Sequence, residues 1–325
     1  MGRLSIVIPT FNRRERLGRV LRALEGQSVE KDTFEVVVVD DGSSDQTAEW
    51  LEQQKFDFAL RVLRQANGGP AAARNAGVAA SNHSIVLFLD DDVVPSSDLV
   101  REHLATHDAE RDVVVIGPLS SLETYRQPWV AWEQAKLEAQ YAAMTRGDYA
   151  PSFRQFWTGN ASVAKEHVLA AGGFDTSLLR GEDVELGLRM KKRGISFRFN
   201  PRAAAMHHAE RSLDSWALAH SSYGKLEVEL FTRMGAGEVK CQLGENWRRL
   251  HPLNRWLVRR CVGRSVPFAT ATTALRGILR LGEVVPARVV SKAACSVLAN
   301  LLYWDASAQV LGGTAIREVF RERAE

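Results

Sequence analysis

The sequence predicts a three-layer α/β fold with a mostly parallel central sheet, followed by a helical extension, and three observations carry that expectation. Short runs of apolar and β-branched residues alternate with segments of helical period over the first two hundred residues. Two of the runs end abruptly in acids, Phe34–Val39 at Asp40-Asp41 and Ser84–Leu89 at Asp90-Asp91-Asp92. Charge is segregated as well: residues 1–205 hold 25 Lys and Arg against 28 Asp and Glu, whereas residues 206–325 hold 17 against 11.

Leu4–Ile8 reads as the first strand, and Asn12 followed by Glu15 has the pattern of a helix cap ahead of Leu17, Val20, Leu21 and Leu24. The turn between them, Pro9-Thr10-Phe11-Asn12, holds no glycine, which excludes the Gly-x-Gly-x-x-Gly turn of a dinucleotide-binding unit. Phe34–Val39 is the second strand; Gly42-Ser43-Ser44 turns into a helix over Asp45–Gln54, and Leu60–Leu63 is a weaker third strand. Gly68-Gly69-Pro70 opens the alanine-rich helix Ala71–Ala80, which carries Arg74 and Asn75. Ile85–Leu89 is apolar without alternation, so it reads as a central strand buried on both faces. A helix near Ser97–His107 and a strand Val113–Ile116 complete a first half of about 1–117.

The second half of this domain, about 118–210, is less regular. Pro128–Met144 predicts a helix placed as a lid, and Phe156–Val163 a strand kinked at Gly159. After a turn at Gly172-Gly173-Phe174-Asp175, Val184–Met190 is helical and Gly194 ends it. Ser196–Phe199 is then a strand, and Asn200-Pro201 turns into Ala203–His208. Residues 211–325 read as a basic helical extension with helices at Leu213–Met234, Glu245–Arg264 and Pro267–Gly282. The middle one carries six arginines against Glu245, with Trp247, Leu250, Leu253, Trp256 and Leu257 at helix-like spacing; that pattern suits an anionic surface, or a docked helix with its arginines in water.

A content of 45% hydrophobic and 25% charged residues is that of an ordinary globular chain. The cysteines Cys241, Cys261 and Cys295 have no metal-type spacing, which argues against a disulfide framework and a zinc site, and a reducing cytosol fits best. No charged-then-apolar leader precedes Leu4, and the late apolar stretch Ala293–Trp304 is 12 residues where a span needs ~20. A cytoplasmic protein without a transmembrane helix is therefore expected, and no nucleic-acid-binding motif is present.

Carboxylates delivered to the end of a buried strand lie where open α/β sheets bind ligands. Asp90 and Asp92 are close enough to repel, and a hard divalent cation, Mn²⁺ or Mg²⁺, offsets that repulsion while gripping phosphates. Glu182 and Asp183 fall in the first turn of a helix, where the dipole favours an ionised acid by ~0.3–1 kcal/mol.

Seven stretches in order, Ile6–Asn12, Val39–Ser43, Gly68-Gly69-Pro70 with Ala73-Arg74-Asn75, Phe88–Asp92, Gly159-Asn160, Gly172–Asp175 and Gly181–Leu186, resemble the motifs of inverting glycosyltransferases of family 2, which have the GT-A fold. The resemblance covers residues 4 to about 208. It implies transfer of a sugar from a nucleoside diphosphate sugar, UDP by family habit, to an acceptor hydroxyl with inversion, in polysaccharide, glycolipid or glycosylated-metabolite biosynthesis. It further implies nucleotide contacts at Pro9, Thr10, Asn12, Asp40, Asp41, Gly69, Arg74, Asp90 and Asp91, and a metal held by Asp90, Asp92 and His207, with His208 the alternative histidine. Trp157, Gly159, Asn160 and Glu182 would face the acceptor, and Asp183 would be the base. The acceptor itself is open, lipid-linked ones included, with residues 245–264 as a peripheral contact on the membrane's inner face. Two rival classes differ in the motifs they need. A non-catalytic sugar-nucleotide-binding homologue need not keep both acid pairs, and both are intact; a sugar-1-phosphate nucleotidyltransferase calls for a glycine-rich basic loop after the first strand, and Pro9–Asn12 is not one.

Overall fold

The computed structural model describes residues 2–122, 125–178, 180–235, 238–285 and 287–321. They form two compact units, one from residues 1–123 and 134–209, the other from 124–133 and 210–325.

The first unit follows the alternation of the sequence: β1 (Leu4–Thr10), α1 (Arg14–Glu25), β2 (Phe34–Asp40), α2 (Thr47–Glu52), β3 (Ala59–Arg64), α3 (Gly69–Ala80), β4 (Ile85–Leu89), β5 (Val93–Pro95), α4 (Leu99–Ala109), β6 (Val113–Ile116), β7 (Leu119–Ser121), α5 (Pro128–Arg146), β8 (Asn160–Ala164), α6 (Lys165–Ala170), α7 (Glu182–Lys192), β9 (Ser196–Phe199) and β10 (Ala205–His207). The main sheet has the order β3-β2-β1-β4-β8-β6-β9. It is parallel except at β8, which runs antiparallel to both β4 and β6. Strands without polar alternation bury both faces. Leu4, Ile6, Ile8, Val36, Val38, Leu87 and Leu89 pack with α1 and α4 on one side, while Val7, Val37, Val39, Val86 and Phe88 pack with α3 and α7 on the other. The alanines of α3 are there because that helix lies close: a Cβ on Gly77 would come within 2.3 Å of Val7.

Two pairings aim the functional residues. Leu89 pairs with Asn160, so β8 begins beside the point where β4 ends and brings Gly159 next to Asp90. In a small second sheet, β10 lies between β5 and β7, and its His207 pairs with Val93, next to Asp92.

Three local expectations are corrected. Asn12 does not cap α1; it takes a left-handed φ of 54°, and its Oδ1 accepts the Ser44 N–H at 2.7 Å, joining the turn after β1 to the turn after β2. The strand expected from Phe156 starts only at Asn160, because Phe153–Gln155 form a 3₁₀ turn capped by Ser152. The helix expected as a lid is anchored instead: Leu137, Tyr141 and Met144 of α5 are packed into the sheet's core.

The second unit consists of α8 (Leu213–Met234), α9 (Glu238–Arg248), α10 (Pro252–Cys261), α11 (Ser265–Val284), α12 (Arg288–Leu311) and α13 (Gly313–Arg321), together with the start of α5. Trp247, Trp304 and Phe320 meet at its centre, with ring centroids 4.5–5.6 Å apart. Close packing of α8 on α12 requires Gly224, whose Cβ would lie 2.1 Å from the Tyr303 carbonyl. The single basic helix expected over Glu245–Arg264 is two helices, α9 and α10, since Pro252 fits a first helical turn but cannot extend one. No helix among the described residues is long and apolar enough to cross a membrane.

Candidate active site

The carboxyl ends of β1, β2 and β4 supply one wall. Thr10, the last residue of β1, is buried and donates its hydroxyl to Asp91 at 2.8 Å; Pro9, half-buried, pairs with Val39. Asp40, expected beside the nucleotide, is wholly buried, with the Ser43 N–H at 2.9 Å on one oxygen and Arg64 at 3.9 Å from the other. Asp41 shapes the next loop, accepting from Gln65 (2.7 Å) and from the N–H groups of Gly68 (2.9 Å) and Gly69 (2.8 Å). Gly69 then turns with φ +83°, a conformation that favours glycine, and open space surrounds the point where a Cβ would stand.

Three acids follow β4; Asp90 pairs with Arg74, while Asp91 and Asp92 share Arg13. Asp90 is the accessible one and accepts from Arg74 at 2.9 Å. Asp91 is held by Thr10 and by Arg13 at 3.0 Å; burial pushes it up to about 6 in spite of that arginine. Asp92 meets Arg13 at 2.9 Å, Arg16 at 3.8 Å and His207 Nε2 at 3.6 Å, and burial and the charge of Asp90 raise its pKa. His208 contributes its backbone N–H to the Asp92 carbonyl at 2.9 Å.

Arg74 is the hinge of the arrangement. From the middle of α3 its guanidinium, almost wholly buried, reaches Asp90 with one nitrogen and Glu182 with another, at 2.7 Å. It stacks over Phe174 at 5.9 Å, and Asn75 fixes that phenylalanine by hydrogen bonds to both its N–H (2.8 Å) and its carbonyl (2.9 Å). The Ala-Arg-Asn and Gly-Gly-Phe-Asp stretches are therefore two sides of one contact. Arg74, expected against the base or diphosphate, lies between two carboxylates, and its buried charge is compensated by the buried Glu182 and the accessible Asp90.

Asp183 is half-buried in the first turn of α7, where its carboxylate accepts the Val184 N–H at 2.7 Å and faces the Thr158 N–H. Burial and the neighbouring Glu182 push it up to about 7, against the pull of Arg74. The helix dipole expected to keep this acid ionised is outweighed: it contributes under ~1 kcal/mol, and one pKa unit already corresponds to ~1.36 kcal/mol. Thr158 and Gly159 link the two acid clusters, and a Cβ on Gly159 would stand 3.2 Å from Asp90 Oδ2, so this position keeps the approach to Asp90 open.

Trp157 is half-buried and packs edge-on against Tyr141 with centroids 5.9 Å apart. Asn160, expected to face the acceptor, is buried and turned inward. Its amide nitrogen donates to Ala203 (2.8 Å) and Pro118 (3.3 Å), and its oxygen meets His103 Nε2 at 2.9 Å. His103 and His107 share the Ser162 hydroxyl at 2.8 Å each, and burial holds both histidines down at about 4, hence neutral at pH 7. This network fixes β8 to α4 and was invisible in the sequence. Arg13 and Arg16 were also missed, although the run Arg13-Arg14-x-Arg16 after the first turn could have signalled cations for the three acids.

For a divalent cation the donors fit in part. Asp92 and His207 approach one point, whereas Asp90, named as a further ligand, is engaged by Arg74. Among the described residues no three His, Cys, Asp or Glu groups converge as a metal cage. Two protein ligands, completed by phosphate oxygens and water, are the usual arrangement for Mg²⁺ at a phosphate site.

Residues 5–166 match the model of the family described as glycosyl transferase family 2. A glycosyltransferase of Bacillus subtilis, YfnE, is 28% identical over 257 residues, covering 64% of this chain and 65% of its own length. The pre-mycofactocin glycosyltransferase of Mycobacterium tuberculosis is 30% identical over 241 residues, covering 71% of this chain and 48% of its own. The chain thus spans about half to just under two thirds of the length of these two relatives. Among solved structures, a mannosyltransferase of Pyrobaculum calidifontis superposes with a TM-score of 0.61 at 19% identity, over 95% of this chain and 87% of that one. Residues 1–349 of S. aureus TarS superpose with 0.58 at 17%, over 96% and 92%. By its motifs, its matched family model and its sheet, the chain belongs to glycosyl transferase family 2 and has the GT-A fold.

Proposed function

We propose that the protein transfers a sugar from a nucleoside diphosphate sugar to an acceptor hydroxyl in a single inverting displacement, with Asp183 as the base. The observation that carries this reading is the Arg74 bridge, which joins Asp90 at the end of β4 to Glu182 at the start of α7 and so makes one site of two acid clusters far apart in sequence. The Pyrobaculum mannosyltransferase is described in complex with GDP-Man and Mn²⁺, and TarS in complexes with UDP and with UDP-GlcNAc; these support a nucleoside diphosphate sugar donor and a divalent cation here.

On this reading the donor lies across the ends of β1, β2 and β4, with Pro9, Thr10, Asn12, Asp41 and Gly69 along the nucleotide and Asp90 towards the ribose. Asp92 and His207 would hold a cation, which when bound supplies Lewis-acid stabilisation of the departing diphosphate. Asp183 takes the proton of the acceptor hydroxyl as its oxygen attacks the anomeric carbon from the face opposite the leaving group, so configuration inverts. Glu182 is unsuited to that step because Arg74 occupies it; it anchors the helix that presents Asp183. Trp157 and Gly159 remain as acceptor wall. Screening nucleotide sugars for nucleotide release tests the reading: one donor or a few should be cleaved in a Mn²⁺- or Mg²⁺-dependent manner, and release from none of them would count against it.

A pH dependence follows. A base with a pKa near 7 is mostly protonated below that value, so transfer should rise about tenfold per pH unit up to ~7 and then level off. Glu182→Gln removes the negative neighbour and should move this acid limb to lower pH. An acid limb at pH 4–5 in the parent protein would place the titrating group elsewhere.

Contact with a membrane's inner face is part of the proposal only in a narrower form than the sequence suggested. Trp247 is wholly buried in the helical core, but Leu253 and Trp256 of α10 are more than half exposed, and Arg260 lies over the Trp256 ring at 5.5 Å. Basic residues near an anionic surface contribute ~1 kcal/mol each. The protein should co-sediment with anionic vesicles at low ionic strength, and the Leu253→Asp/Trp256→Glu double variant should lose most of that binding. Absence of the parent protein from the vesicle pellet would remove the membrane from the account.

A further inference from the structure

The cation site proposed above already holds a cation of the protein's own. One nitrogen of Arg13, Nη1, lies 3.0 Å from Asp91 and 2.9 Å from Asp92, bridging the two carboxylates. The acids cannot follow it if it leaves: both are nearly buried, Asp91 is tied on its other oxygen to Thr10 at 2.8 Å, and the other oxygen of Asp92 faces His207 at 3.6 Å. Arg13 can leave, since 43% of its side chain is exposed. It lies just ahead of α1, and its own side chain makes no capping bond, so the helix start does not depend on the guanidinium staying where it is.

We propose that Arg13 is the resident counter-cation of Asp91 and Asp92, and that it yields Asp92 to a divalent cation most readily when a diphosphate is present to receive its guanidinium. The inference rests on the metal reading of Asp92 and His207 given above. The physical argument is charge and reach. A dication at Asp92 and a guanidinium bound to the same carboxylate repel each other, so entry of the metal carries the cost of moving Arg13 into water. A diphosphate offers Arg13 a planar, charge-assisted pairing in exchange, which lowers that cost. Binding of metal and of nucleotide is then coupled through this side chain, and linkage requires the coupling to be reciprocal. Arg16, 3.8 Å from the same Asp92 oxygen, keeps the acid from being left without any positive neighbour when Arg13 swings away.

The test measures Mn²⁺ affinity directly, by the loss of the free-ion electron paramagnetic resonance signal, with and without UDP. Arg13→Gln should bind Mn²⁺ in the absence of nucleotide about 5–10-fold more tightly than the parent protein, and the factor by which UDP tightens Mn²⁺ should shrink by a similar amount, within the usual 5–150-fold range of such couplings. Arg13→Lys, which keeps the charge, should stay near the parent value and guards against a general loosening of the site. An Arg13→Gln variant that binds Mn²⁺ no better than the parent, or keeps the same UDP enhancement, overturns the proposal. If the parent protein and an Asp92→Asn control bind Mn²⁺ identically even with UDP, the metal reading itself is wrong and the proposal falls with it.

Discussion

Replacing Asp183 by asparagine should cut transfer by ~10²–10⁴-fold, the usual worth of a positioned general base, with little change in fold or in nucleotide affinity. The amide keeps the acceptor oxygen for the Val184 N–H but cannot take a proton. It also removes a half-buried acid whose ionisation its surroundings oppose, so stability at neutral pH should not fall. Glu182→Gln should behave differently. Its loss breaks a buried pair with Arg74, so lower thermal stability and a displaced pH profile are expected, with transfer reduced but present. Steady-state transfer and melting temperature on the same preparations separate the two. Normal transfer by Asp183→Asn together with a dead Glu182→Gln would exchange the roles, and full activity in both would remove the Glu-Asp pair from catalysis.

The second large effect is expected at Asp92. Asp92→Ala takes away the carboxylate that Arg13, Arg16 and His207 all approach, and with it a first ligand of the proposed cation. Stabilising a leaving diphosphate is worth several kcal/mol, so transfer should drop by about 10³-fold or more, at ~1.36 kcal/mol per decade. Calorimetry with UDP should show that Mn²⁺ no longer strengthens nucleotide binding. Because alanine also removes the oxygen that accepts from Arg13, Asp92→Asn, which loses the charge but keeps an acceptor oxygen, serves as the milder variant, and both should agree in the lost metal effect. Retained Mn²⁺-dependent UDP binding in both would move the metal elsewhere.

The layers of the fold were legible because β1, β2 and β4 are buried on both faces and so lack polar alternation, and because their acids come where the apolar run stops. Long-range pairing was not legible. Nothing local in Asn160–Ala164 says that this strand inserts antiparallel between β4 and β6, yet that insertion brings Gly159 to Asp90. His207 is next to Asp92 only because β10 pairs with β5. Asn160 shows the limit most clearly: an amide following a glycine can face a ligand or the interior, and a histidine 57 residues earlier decides it. The break between α9 and α10 was available in the sequence at Pro252; the regular spacing of tryptophans and leucines across it concealed it.

The central claim is direct, inverting displacement by a base at Asp183, and it can be tested without knowing the acceptor. With a cleavable α-linked nucleotide sugar and water as the acceptor, proton NMR recorded before mutarotation reads the anomer that leaves the enzyme first. The account predicts β-configured free sugar, formed by the parent protein and suppressed in Asp183→Asn. An α-configured first product would mean retention, and the single-displacement mechanism would be wrong.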